Sequence, residues 1–179
     1  MKLLRTIRLD ASDTFIFDPA AEPGEWAVSG AFTFWNADPG KLEGKARAAF
    51  RSGFLGVTSL GWSTLVQIVE ATADDRINAV GQLAQRLVDR FGAPDVRTAS
   101  AAAEEEIAFA ESLAIEDKDT LIAVHRTYDG EIREAFRSLK PRNGPRPLRA
   151  FSFMDVEGED EPQVQDQVDI VSLAERGRQ

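Results

Sequence analysis

Five side chains around residue 130 carry the only clustered chemistry in the sequence. Asp129-Gly130 separates two runs, Thr120 to Tyr128 and Glu131 to Leu139, and Asp-Gly between apolar runs is a two-residue hairpin signal. Ile132, Ala135, Phe136 and Leu139 also fit a helical stripe, so residues 131–139 read as strand or helix. The β-branched first run agrees with the turn and favours the hairpin. A two-residue loop then places His125 opposite Glu134 and Arg126 opposite Arg133, on opposite faces of the ribbon.

A histidine beside a carboxylate is the smallest acid–base or metal-orienting unit. It is equally an ordinary cross-strand pair, and His125 is the one histidine in the chain. Two arginines facing each other repel unless an anion sits between them. Arg126 and Arg133, with Arg137 along the strand, therefore read as a guanidinium cluster for a small anion. The competing expectation is that Glu131, or the acidic C-terminal tail, neutralises the cluster within the same chain. Charge placement supports that alternative. Residues 133–149 hold six basic residues and one acidic residue, whereas 155–179 hold eight acidic and two basic.

Other chemistries fall away on composition. With no cysteine in 179 residues, thiol catalysis, iron–sulfur ligation and Cys-based zinc sites are excluded. Gly56-Val57-Thr58-Ser59-Leu60-Gly61-Trp62-Ser63 has the spacing of a P-loop, but Trp62 stands where the phosphate-binding lysine belongs. The loop also leads into a strand instead of a helix N-terminus. Net charge of -9 opposes nucleic acid. The start, Met1 to Leu9, lacks the uninterrupted apolar core of a signal peptide, and no run approaches the length of a spanning helix. No cofactor, no metal and no membrane partner are expected, and a cytoplasmic location is.

The elements that must position these residues read as follows. Leu3 to Leu9 and Thr14 to Phe17 form two strands around a turn. Trp26 to Trp35 alternates large apolar with small or polar residues, the pattern of a half-buried strand. Asp38-Pro39 starts a helix that Gly53 ends. Phe54 to Leu60 and Trp62 to Ala71 form a hairpin around Gly61. Thr72-Ala73-Asp74-Asp75 opens a helix with a continuous stripe from Ile77 to Phe91, stopped by Gly92 and Pro94. A second helix spans about Ser100 to Ala114, with Glu104, Glu105 and Glu106 as a solvated face. After Thr120 to Tyr128 come a basic loop, a strand over Ala150 to Val156, and a polar acidic tail.

These elements predict an α+β fold: a mostly antiparallel sheet with helices on one face and a ferredoxin-like split β-α-β core, with added strands and one extra helix. The expected organisation is one domain over residues 1–156, followed by an acidic tail over 157–179. Trp35 points away from Phe32 and Phe34 on its strand and either marks a partner surface or lies under a helix.

Leu4-Arg5-Thr6-Ile7-Arg8-Leu9-Asp10, Glu22 to Gly30, Gly53-Phe54-Leu55-Gly56, Ala123-Val124-His125-Arg126-Thr127 and Arg133-Glu134-Ala135-Phe136-Arg137 together resemble an uncharacterised bacterial (proteobacterial) family of unknown function over most of the chain. That resemblance implies no activity and no site residues. The functional expectation is a non-enzymatic binding or accessory protein that takes a protein partner or self-associates as a homo-oligomer. The alternative is a small cofactor-free enzyme or small-anion binder using His125, Glu134, Arg126, Arg133 and Arg137.

Overall fold

The computed structural model describes residues 1–140 and the backbone of residues 155–156. The chain runs β1 (Lys2–Ile7), α1 (Ser12–Ile16), β2 (Ala27–Val28), 3-10 turns at Ala31–Phe34 and Pro39–Lys41, α2 (Gly44–Ser52), β3 (Phe54–Gly56), β4 (Trp62–Ser63), β5 (Leu65–Glu70), α3 (Ala73–Phe91), α4 (Val96–Leu113), β6 (Leu121–Tyr128), β7 (Ile132–Lys140) and β8 (Asp155–Val156). A five-stranded sheet has the order β1-β5-β6-β7-β8, and a three-stranded sheet has the order β2-β3-β4. Every ladder is antiparallel. The class is therefore α+β, with antiparallel sheets and four helices among the described residues. A ferredoxin-like split β-α-β unit sets a third strand between two parallel strands joined by a crossover helix, all in one sheet. Here the strands expected to build it are divided, β2, β3 and β4 in the small sheet and β5 and β6 in the large one, and α3 with α4 returns the chain from β5 to its antiparallel neighbour β6.

Helix α3 forms where its stripe and caps place it. Thr72 Oγ1 accepts from the Asp75 N–H at 3.1 Å and Asp75 Oδ2 accepts from the Thr72 N–H at 2.9 Å, a capping box built with Asp. Gly92 closes the helix at φ +73°. Asp95 then caps α4 through Thr98 N at 2.8 Å, so this helix begins at Val96, ahead of the expected Ser100. Small buried residues (Ala79 and Ala84 on α3, Ala99, Ala103 and Ala110 on α4) leave room for close helix packing. Arg76 braces the pair by bonding Glu104 and Glu111 at 2.6 and 3.1 Å.

Four expectations change. Trp26 to Trp35 is not one strand: only Ala27–Val28 forms a strand, with Trp26 adding an isolated bridge to Arg5, because Gly30 turns the backbone left-handed at φ +78°. A Cβ at Gly30 would lie 2.6 Å from Leu55 Cβ, so the alternating aromatics serve packing around this turn instead. Phe34 stacks on Trp62 at 5.3 Å and meets Phe50 edge-on at 5.2 Å. Asp38 does cap its turn, through Gly40 N at 3.0 Å, but that turn ends at Lys41 and α2 starts separately at Gly44. Residues 14–17 are not a strand. Asp10 accepts from Ser12 N and Thr14 donates to the Ala11 carbonyl, local bonds that wind the segment into α1. The run from Trp62 to Ala71 divides at Thr64, giving β4 to the small sheet and β5 to the large one.

Between the sheets lies a core centred on Val28, Phe54, Val57, Val66, Ile68 and Leu83, all fully buried. Trp35 is 73% exposed, outside this core. The expected strand over residues 150–156 is represented by Asp155–Val156 on the edge of β7; its other residues, the basic loop after Lys140 and the acidic tail from 157 lie outside the described residues. Among the described residues no helix is long and apolar enough to cross a membrane.

Candidate functional site

The β6–β7 hairpin forms, and its register is one residue away from the expected one. Its loop holds three residues, Asp129, Gly130 and Glu131, with Gly130 at φ +101°. Three-residue hairpin loops require such a left-handed position. Tyr128 therefore pairs with Ile132, His125 with Ala135, Arg126 with Glu134 and Thr127 with Arg133. Neither predicted pair exists. His125 and Glu134 point to opposite faces, so the acid–base unit does not assemble. Arg126 and Arg133 also part company. Arg133 stays at the exposed tip with Glu131 at 3.0 Å and Asp129 at 3.5 Å, which is the self-neutralising alternative for that residue. Arg137 lies on the outer face beside His125, along a shallow groove they share with Ala123 and Val124.

Arg126 turns inward and is the largest fully buried side chain. Its Nε donates to Glu134 Oε2 at 2.8 Å. Nη1 donates to the carbonyls of Phe50 at 3.0 Å and Gly53 at 2.7 Å, with a longer contact to Ala49. Nη2 donates to the Ser29 carbonyl and, at 3.1 Å, to Ser29 Oγ. Ser29 Oγ in turn donates to Glu134 Oε2. The guanidinium thus fastens β2, the C-terminal end of α2 and β7 to one strand. Helix ends leave carbonyls without partners and carry partial negative charge, so a cation there is favourable twice over. Burial pulls the Arg126 guanidinium down from its usual range, and the Glu134 carboxylate opposes that shift. Paired on every side, Arg126 is structural.

Glu106 belongs to the same neighbourhood. Sequence assigned it with Glu104 and Glu105 to a solvated face, but it is only partly exposed while those two remain in solvent. Burial pushes its carboxyl up to about 7, and the Glu134 and Glu105 charges add to that, offset in part by Arg126. The native state then holds a proton that the unfolded chain has already released between pH 4.5 and 7. Stability falls as pH rises through that window and levels off above it. Glu106→Gln should remove this slope and stabilise the protein at pH 8 by roughly 1–3 kcal/mol. Urea denaturation of both proteins at pH 5 and pH 8 checks it; parallel pH dependences would refute the assignment.

The P-loop-like stretch does hold an anion, one supplied by the chain itself. Glu25 Oε2 accepts from Thr58 N at 2.9 Å and Ser59 N at 2.8 Å, filling the backbone nest. A Cβ at Gly56 would come within 2.7 Å of that same oxygen. The spacing therefore serves an internal carboxylate and leaves these two N–H groups engaged.

A different set of cations remains in solvent. Helix α2 carries Lys45, Arg47 and Arg51 and no carboxylate. Arg47 and Arg51 are four residues apart, on one helix face, where like charges repel. Neither forms an ion pair among the described residues. With Pro39 and Gly40 on one side and His125 to Tyr128 on the other, they line an open cleft of about 400 Å³ that no carboxylate among the described residues borders. The volume lies in the range of small-molecule sites. His125 is thus the one candidate from sequence that the structure places at this cleft with an exposed side chain; Arg126 lies behind it. Arg47 and Arg51 escaped notice because only the fold brings α2 against β6. Their visible signal was a helix with three cations and no counter-charge.

No curated protein and no solved structure matches the chain. Residues 1–154 match the model of a family whose function is unknown. The chain belongs to the Family of unknown function (DUF6505).

Proposed function

We propose that this is a non-enzymatic binding protein whose ligand is a small anion, held in the cleft between α2 and β6 by Arg47, Arg51 and His125. The observation that carries this reading is a pair of arginines that forms no ion pair among the described residues and lines a cleft that no described carboxylate borders. Guanidinium groups donate in a planar fork that matches phosphate, sulfate and carboxylate oxygens. Tyr128 and Thr127 add hydroxyls at the same wall. A binding role without catalysis accords with Glu134 lying on the far face of the hairpin, where it cannot orient His125.

Thermal denaturation of the intact protein with phosphate, pyrophosphate, sulfate and nucleoside monophosphates tests the reading. A ligand at about 100 times its dissociation constant stabilises by roughly 2.7 kcal/mol. The expected result is stabilisation by at least one anion that is lost in Arg47→Ser/Arg51→Ser. Stabilisation that survives in the double variant, or none with any anion, rejects the cleft as the site.

A further inference from the structure

On another part of the molecule lies a pocket of opposite character. It has a volume of about 330 Å³ and apolar walls that include Leu9, Ile16, Leu65 and Leu139. Asp13 also lines it and is only 7% exposed. Its Oδ1 accepts from Thr64 Oγ1 at 2.5 Å and its Oδ2 from Thr64 N at 3.1 Å. Ser63 Oγ is 3.4 Å away, but its single proton is better placed toward the Leu65 carbonyl at 2.7 Å. Both firm donors are neutral, and a carboxylate offers about four lone-pair sites. No cation among the described residues pairs with Asp13. A buried charge without a counter-charge is costly, and the cost is relieved by any cation that can reach it. At the same pocket the Ser12 hydroxyl, and with it the Ser12 N–H that Asp10 accepts from at 2.8 Å, hold the Asp10 carboxyl below the ordinary range.

We infer that this pocket is a second binding site, for a small primary amine on an apolar body, with the ammonium on Asp13 and the hydrocarbon against Leu9, Ile16, Leu65 and Leu139. Charge complementarity selects the occupant: a neutral alkane would leave the carboxylate unpaired, and an anion would be repelled by Asp13 and Asp10 together. The site is independent of the basic cleft and stands or falls separately from it.

Calorimetric titration of the intact protein with n-hexylamine, 1-hexanol and hexanoate at pH 7.5 decides the matter. The amine should bind about tenfold or more tightly than the alcohol, the increment of one charge-assisted hydrogen bond, and hexanoate should not bind. Asp13→Asn keeps an acceptor for Thr64 and should erase the preference of amine over alcohol. If that variant does not fold, Ile16→Trp, which fills the pocket from an exposed position, should weaken the amine about tenfold or more by excluding the ligand. Equal affinity for amine and alcohol, tighter binding of hexanoate, no binding of the amine, or amine affinity unchanged in Ile16→Trp would each overturn the inference.

Discussion

Arg126→Ala should lower the unfolding free energy by about 3–5 kcal/mol, the range for removing one partner of a buried ion pair. The replacement strands the Glu134 carboxylate, whose side chain is only 18% exposed, and the carbonyls of Ser29, Phe50 and Gly53. Unsatisfied buried acceptors cost more than the bonds themselves contribute net. Arg126→Lys should rescue little, because a single ammonium cannot serve Glu134, α2 and Ser29 at once. Glu134→Ala should cost less in the Arg126→Ala background than in the wild type, since the carboxylate it removes is by then unpaired. Equilibrium urea denaturation gives all four values. A loss below about 1 kcal/mol, the size of an exposed ion pair, would contradict the buried network. Amide hydrogen exchange should also show the C-terminal turn of α2 opening in Arg126→Ala, a local sign that general destabilisation does not produce.

Gly61→Ala should cost about 3 kcal/mol or more, the upper end for forcing an added methyl into packed structure. A Cβ at Gly61 would stand 2.5 Å from the Ala20 carbonyl carbon and oxygen and from Ala21 N. These are backbone atoms with no rotamer to change. The segment is also pinned on both sides, by Trp62 N to the Pro19 carbonyl at 3.0 Å and Ala21 N to the Trp62 carbonyl at 2.8 Å. Relief of the clash therefore breaks bonds that hold residues 19–21 on the small sheet. Gly81→Ala on α3 is the internal control: nothing lies within 4 Å of the new Cβ. There the helix should gain about 0.5–1 kcal/mol from the loss of glycine. Thermal unfolding midpoints moving in opposite directions meet the expectation; a neutral Gly61→Ala would contradict the close approach.

That glycine illustrates what a sequence conceals. Gly61 reads as the turn of a hairpin, which its neighbours allow, whereas the need for glycine at Gly56 and Gly61 comes from Glu25 and Ala20, remote contacts invisible in local pattern. Where a cap, an apolar stripe and a stop signal agree, sequence and structure coincide. The Thr72 capping box, the stripe from Ile77, and Gly92 identify α3 to within a residue or two. The β6–β7 hairpin was legible for the same reason. Its register was not, because Asp-Gly fits either a two-residue loop or the first two places of a three-residue one. Yet the sequence contained the corrective. Facing arginines are unfavourable, and one added loop residue exchanges Arg126–Arg133 for Arg126–Glu134, an opposite-charge pair. The long alternation from Trp26 misled because aromatics packed around a glycine turn reproduce the period of a strand.

The candidate site divides along the same line. His125 reaches the proposed cleft, Arg126 belongs to the core, and Glu134 supports Arg126. Arg47 and Arg51 enter only through the packing of α2 on β6. A phosphate titration of the intact, isotope-labelled protein, followed by amide NMR, tests this division most directly. Saturable shifts concentrated in residues 44–53 and 125–128, abolished in Arg47→Ser/Arg51→Ser, are the expected result. Shifts centred instead on Arg133 and the hairpin tip, or unchanged in the double variant, would contradict it.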